Sequence, residues 1–265
     1  GKFLLDSGAH VMRILQDLAE LLPPRDTALT VGVFDGVHLG HRYLIKRLVS
    51  HSKRRGLLSG VLTFLNHPTT VLCKNATVRY IYPAHERVRL LRETGADLII
   101  PVNFDEELSN LRFDEFAQLL RDQLQMRALV VGPDFVMGRA REGDTTALAN
   151  LGKQMGFEVE VVDPLLLSNI PVNSTTIRQA LSHGLVEQAE KLLGRLYQIE
   201  GIVVRGRERG RHLGFPTANL ATEEPQIIPS DGIYAVWALV DGQRLPAATS
   251  IGLRPTFGEK DRTIE

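Results

Sequence analysis

Cysteine is all but missing from this chain. Cys73 stands alone among 265 residues, which excludes an intramolecular disulfide framework and fits a reducing, cytoplasmic setting. A net charge is missing too, because 31 basic side chains balance 31 acidic ones. Bulk electrostatics therefore make no case for nucleic acid or an anionic membrane as partner. No apolar run approaches the ~18 residues of a membrane span, and no signal-peptide pattern opens the chain. Neither a Walker A sequence nor a Gly-x-Gly occurs, which removes the two commonest glycine-rich phosphate loops. Gly1 in place of Met points to processing or to an engineered start. What remains is an ordinary globular composition, 43% apolar and 23% charged, long enough for one large or two modest domains. Nothing in it sets an oligomeric state.

The run Gly32-Val33-Phe34-Asp35-Gly36-Val37-His38-Leu39-Gly40-His41 carries the most information. It closes an apolar stretch, Ala28–Phe34, that reads as a buried strand. It opens a segment, Arg42–Arg55, with Leu44, Ile45, Leu48 and Val49 at helical spacing. Two imidazoles three residues apart thus sit at a strand-to-helix turn. There the first N–H groups of the helix are unpaired and its dipole is positive, so an anion is welcome. Gly40 lets a bulky group approach the backbone, while His38 and His41 add donors without a fixed charge. Such a turn suits a triphosphate. Its pattern resembles the HxGH signature of nucleotidyltransferases, which transfer a nucleotidyl group from ATP and release pyrophosphate. In the fuller form GxFDGxHxGH, which includes Gly32, Phe34 and Asp35, it resembles the bacterial bifunctional riboflavin kinases/FAD synthetases.

Strand-like segments at Ala28–Phe34, Leu57–Phe64, Ala96–Pro101, Ala128–Gly132 and Phe157–Val162 alternate with helical patterns. The helices are expected over Arg42–Arg55, Ala84–Glu93, Asp114–Gln123 and Thr146–Met155. Continuous apolar strands joined by amphipathic helices predict a doubly wound parallel α/β domain, its ligand at the carboxyl ends of the strands. Helical segments come next at Thr176–Ser182 and Val186–Leu193. The character then changes near Gly194–Tyr197 to β-like runs at Ile199–Arg205, Ile233–Val240 and Leu245–Ile251, as in an all-β barrel. Residues 1–193 and 194–265 are therefore read as two domains. The second is small for a barrel and stops in strand-like Arg262–Glu265, so it is expected to be cut short. Val11–Leu22 reads as an amphipathic helix at most.

Further segments extend the resemblance. Phe64, His67 and Pro68 after the second strand fit the family, whereas Leu65 and Asn66 replace its usual acidic residue and proline. The loop Gly132–Asp144 resembles GxDFxFGxxRxG, with Met137 for an aromatic. Its glycines permit tight turns against a flat ligand. Asp134, beside Phe135, offers acceptors for a ribose or base, and Arg141 a partner for phosphate. Asn173-Ser174-Thr175-Thr176-Ile177-Arg178 resembles SSTxIR, with Asn173 for the first serine. Ser174 and Thr175 are N-cap candidates for the next helix. In the family these residues and Arg178 hold the β- and γ-phosphates.

The segment that includes Gly206, Gly210, Arg211, Gly214, Thr217 and Asn219 resembles the riboflavin kinase signature GRxLGFPTAN. Its glycines form a turn whose N–H groups can wrap phosphate, and Thr217 and Asn219 carry neutral oxygens suited to Mg²⁺. Ser250 stands where the family has asparagine, and Glu265 matches its general base for the ribityl hydroxyl.

The resemblance implies attack of the FMN phosphate on the α-phosphorus of ATP, with His38 and His41 on the phosphates, Arg178 on the leaving group and Mg²⁺ bridging. ATP, FMN and riboflavin are the implied substrates. A terminal Glu265 is expected to be poorly held, and riboflavin phosphorylation by this chain correspondingly weak. Two other readings fit parts of the pattern. One is an HxGH adenylyltransferase for a different phosphate acceptor; the other is a catalytically impaired flavin-binding protein.

Overall fold

The computed structural model describes Leu18 and residues 22–73, 76–204, 217–222, 225–253 and 262–265. Apart from Leu18 and Leu22, the expected Val11–Leu22 helix lies outside them. By its contacts the chain forms two units. One holds the chain up to Val78 together with Ala84–Asn173, the other Arg79–Pro83 with Ser174–Glu265.

The first unit is built on a five-stranded parallel sheet. Its strands are β1 (Thr27–Gly32), β2 (Leu58–Phe64), β3 (Leu98–Val102), β4 (Met126–Val131) and β7 (Glu158–Val161), lying in the order β3-β2-β1-β4-β7. Between them run the helices α1 (Leu39–Arg55), α2 (Pro68–Leu72), α3 (Ala84–Arg92), α4 (Glu106–Asn110), α5 (Phe113–Leu124) and α6 (Thr145–Met155). Short ribbons β5 (Val136–Met137) with β6 (Gly143–Asp144), and β8 (Leu166–Leu167) with β9 (Ile170–Pro171), decorate the loops. Every residue of β2 is buried, and all of β1 but Gly32. A strand covered on both faces is largely apolar rather than alternating, with only small hydroxyls such as Thr30 and Ser59 buried in it, which is why these segments are legible as runs. Edge strand β7 instead interleaves Glu158 and Glu160 with valines.

Leu29, Leu62, Leu129 and Val131 from the sheet meet Phe116, Leu120 and Leu148 from the helices to form the core. The chain winds outward from β1 through β2 to β3, then returns to β4 on the other flank of β1. That reversal opens a crevice beyond the carboxyl ends of β1 and β4. The expected doubly wound sheet is present.

The second unit has helices α7 (Ser174–Ser182) and α8 (Val186–Leu193), then strands that, among the described residues, pair antiparallel. Strand β10 (Ile202–Val204) pairs with β11 (Asn219–Ala221), and β12 (Gly232–Val240), β13 (Gln243–Leu253) and β14 (Arg262–Ile264) form a three-stranded sheet. Asp241 (φ 49°) and Gly242 (φ 77°) make the tight turn between β12 and β13, a two-residue connection whose twist matches the strands. Tyr80, far upstream, bridges to Gln226: its N–H donates to Pro225 O at 2.8 Å and its carbonyl accepts from Ile227 N–H at 2.8 Å.

Candidate active site

Between β1 and α1 the backbone turns through conformations that side chains normally avoid. Phe34 (φ 50°), Gly36 (φ 85°) and Val37 (φ 38°) all lie in the left-handed region. For a β-branched valine this is a strained state, costing on the order of 1–3 kcal/mol, and it persists only where surrounding contacts over-determine it. His38 supplies one such contact. Its Nδ1 accepts from the His41 N–H at 3.2 Å, so the imidazole is the N-cap of α1. The helix accordingly starts at Leu39, three residues earlier than periodicity implies. A ring that accepts at Nδ1 keeps the proton of its neutral form on Nε2, and so presents a donor there. The His38 and His41 rings stack with centroids 3.6 Å apart, and Phe34 meets His41 edge-on at 5.2 Å. Asp35 and His38 are each only 3% exposed. Gly40 is required here by the protein itself. A Cβ on it would sit 2.5 Å from the Val172 carbonyl oxygen and 3.1 Å from His38 Nδ1.

The carboxyl end of β2 is tied down just as closely. His67 caps α2 by accepting from Thr69 N–H at 3.2 Å. Asn66, one of the departures from the family pattern, clamps the main chain of Phe104: its Nδ2 donates to the carbonyl and its Oδ1 accepts from the N–H, both at 2.8 Å. Phe64 packs edge-to-face on Phe104 at 5.3 Å. Sequence reasoning passes over Arg87 of α3. It is 1% exposed, and its guanidinium donates to the carbonyls of Val33 (2.7 Å), Phe64 (3.0 Å) and Leu65. A basic residue on an amphipathic helix reads as solvated, so no local signal marks it.

In the loop 132–144, Asp134 and Arg141 are exposed and Phe135 half-buried. From sequence, the glycines of this loop read as room for a flat ligand. At Gly138 and Gly143 the close neighbour is instead Phe113, which would lie 2.4 Å from an added Cβ at either position. Only Gly132 faces open space. Asp144 caps α6 through Ala147 N–H at 2.8 Å.

In the second unit, Ser174 is the first residue of α7, so Asn173 rather than Ser174 or Thr175 precedes the first turn. Ile177 is buried, and Arg178 Nε donates to the Arg79 carbonyl at 3.1 Å. Asn219 opens β11 opposite Val204, with Thr217 exposed two residues before it. Gly206, Gly210, Arg211 and Gly214 lie outside the described residues. Glu265 departs from expectation. Its N–H donates to Ser250 O at 2.9 Å and its carbonyl accepts from Ser250 N–H at 2.8 Å, so its main chain is held in the sheet.

A cleft of about 570 Å³ lies at the opposite, amino-terminal edge of the parallel sheet, among His51, Arg55, Arg127, Lys153, Phe157 and Glu158. Its neighbourhood is ion-paired. Glu160 accepts from Arg47 at 2.8 Å and lies 2.6 Å from His51 Nδ1, while Arg55 meets Glu158 at 2.7 Å. Burial alone would raise the Glu160 pKa, but hydrogen bonds from Arg47 and His51 outweigh it and hold the carboxyl below the usual range. The strained, capped turn that carries His38 and His41 lies at the other edge.

Residues 22–176 match the FAD synthetase family and residues 193–265 the riboflavin kinase family. The chain is 36% identical over 258 residues to the bifunctional riboflavin kinase/FMN adenylyltransferase of Escherichia coli (strain K12), covering 96% of this chain and 82% of that protein. The Bacillus subtilis (strain 168) protein of the same name is 34% identical over 236 residues, covering 88% and 74%. A crystal structure described as a macrolide-efflux protein from Streptococcus pneumoniae superposes with a TM-score of 0.81 at 30% identity, covering 91% of this chain and 79% of that one. Among the described residues of this chain, no helix is long and apolar enough to cross a membrane.

Proposed function

We infer the roles of individual residues from one premise: the chain belongs to the family of bifunctional riboflavin kinase/FMN adenylyltransferases. It transfers AMP from ATP to FMN, giving FAD and pyrophosphate, and phosphorylates riboflavin to FMN with ATP. Residues 1–193 carry the first reaction and 194–265 the second.

The β1–α1 turn supports the first assignment most directly. The phosphate of FMN is ionised at neutral pH, so its attack on the α-phosphorus needs no general base. What it needs is alignment and neutralisation of charge. The proton on His38 Nε2 donates to a phosphate oxygen, His41 supplies a second donor, and the first N–H groups of α1 add their dipole. Gly32, Asp35 and Gly40 shape the turn. Ser174, Thr175 and Arg178 hold the departing pyrophosphate. Phe34, Phe64, His67, Asp134, Phe135 and Arg141 bind the flavin and nucleotide portions.

In the second reaction Glu265 accepts the proton of the ribityl hydroxyl as it attacks the γ-phosphorus, and Gly206, Gly210, Arg211 and Gly214 cradle phosphate. Thr217 and Asn219 stand two residues apart, Asn219 at the start of β11. As hard, neutral donors they fit Mg²⁺, which takes its other ligands from water and phosphate. When bound, Mg²⁺ neutralises charge on the phosphate oxygens. ATP as a substrate and the single cysteine suit the cytoplasm.

The deciding experiment gives the chain ATP and Mg²⁺ with either FMN or riboflavin and separates the flavins chromatographically. FAD from the first mixture and FMN from the second are expected. Glu265→Gln should suppress only the second, by roughly 10²–10⁴-fold. Absence of FAD in the first mixture would sink the adenylyltransferase assignment.

A further inference from the structure

We propose that Arg87 is the positioning residue that holds the phosphate-binding turn in its working shape, and so sets adenylyl-transfer turnover without touching substrate. The inference rests on the adenylyltransferase reading above and deepens it. Strands β1 and β2 stay in register up to the pair Gly32–Thr63. One residue beyond that pair, a single guanidinium nitrogen, Arg87 Nη1, donates to both Val33 O and Phe64 O, at 2.7 and 3.0 Å. Nη2 takes the next carbonyl, Leu65. Arg87 therefore continues the join between the two strands where their ladder has ended.

Val33 is the last residue before the strained stretch begins. Phe34 and Val37 lie in the left-handed region, and the capping imidazole of His38 follows directly. A strained turn keeps its shape only if both of its ends are anchored. His38 anchors the end at α1, and Arg87 anchors the end at β1. Thr63 Oγ1 adds a longer bond to the same Val33 carbonyl, at 3.3 Å. The side-chain type fits the task. A planar fork offers donors in fixed directions, so it can serve three carbonyls where two strands end, whereas an ammonium is a compact point donor. Neighbouring Glu86 is engaged by Arg89 at 2.6 and 2.7 Å, so on α3 the two adjacent buried charges have separate tasks. A shift of about 1 Å in the turn would carry the His38 donor off line, which is enough to cost ~10²-fold in rate.

The test uses the full chain with Arg87→Met, Arg87→Ala and Arg87→Lys, and follows both reactions and the melting temperature. For Arg87→Met we expect kcat for FAD formation to fall about a hundredfold, with KM for ATP and FMN changed no more than a few-fold. Arg87→Lys should melt near the wild type and phosphorylate riboflavin normally, yet still lose about tenfold in adenylyl transfer. Guanidinium ion at sub-denaturing concentration should restore FAD formation in Arg87→Ala and leave the wild type unaffected. If Arg87→Met does not fold, the lysine variant decides. Unchanged FAD formation in Arg87→Lys, a loss confined to KM, or a parallel fall of both activities and melting temperature without rescue would each overturn the proposal. A wild-type chain that makes no FAD would instead overturn the reading on which it rests.

Discussion

At its first turn, α1 meets an imidazole that accepts from its own backbone; at its last, Arg55 pairs with the Glu158 carboxylate of β7. The two ends of α1 therefore satisfy polar groups differently. Where α1 meets β7 at the amino edge, charge is matched with charge: Arg47 and His51 on Glu160, Arg55 on Glu158. At the carboxyl edge His38, His67, Asn66 and Arg87 are bonded to main chain. Pairs of side chains fasten a helix to a sheet. Side chains bonded to backbone fix the shape of loops, and shaped loops are what a reacting phosphate has to meet. The cleft is at the first edge and the proposed chemistry at the second.

The sharpest way to break this contrast is at His38. His38→Ala removes both the cap and the Nε2 donor, and FAD formation should fall in kcat by roughly 10²–10³-fold. The lost cap costs only about 1 kcal/mol, so the protein should still fold. Retention of turnover, measured by flavin chromatography, would mean that the phosphates bind elsewhere.

Much of the carboxyl edge is legible in the sequence because its signals are local. A run of apolar residues, a glycine-spaced pair of histidines and a helical period all lie within thirty residues of one another. The start of α1 escapes sequence reasoning because histidine is not among the usual N-caps, although its Nδ1 accepts as a serine oxygen would. The closeness of Gly138 and Gly143 to Phe113 depends on where α5 packs, which no spacing encodes. The same holds for Arg87, whose partners come from two other elements, and for Glu265, which depends on the register of β13 against β14. Asn66 looks like a defect in a motif and is a clamp on a neighbouring loop.

Gly40→Ala probes the same edge more gently. Its Cβ would displace the Val172 carbonyl and press on the His38 ring, so stability should drop by about 1–3 kcal/mol with a smaller loss of turnover than for His38→Ala. Denaturant unfolding and steady-state rates, taken together, check both parts. An unperturbed alanine variant would show that the close approach is not what fixes this turn.

At the amino edge the expected effect is the smallest and purely on stability. Glu160→Gln should cost about 1 kcal/mol, limited by solvent screening of the half-exposed Arg47, and leave both turnovers unchanged. The Glu160 carboxyl is lowered from 4.5 in the folded chain, so the unfolded chain takes up its proton first as pH falls. Its contribution is complete well above pH 4.5 and fades as the pH drops below it. Melting curves for wild type and Glu160→Gln should thus converge in acid. A change in turnover at pH 7 would show that the two ends of α1 are not independent.

The bridge from Tyr80 to Gln226 bears on how the protein can be made. Residues 79–83 leave the ribosome early, yet the main-chain partners of Tyr80 arrive only after the whole of the parallel sheet and both α7 and α8. Ile81 likewise waits for a side-chain bond from a residue 145 positions downstream. Closure of the second unit is therefore a late, long-range event, and a cut between Asn173 and Ser174 would part Tyr80 from its main-chain partners Pro225 and Ile227.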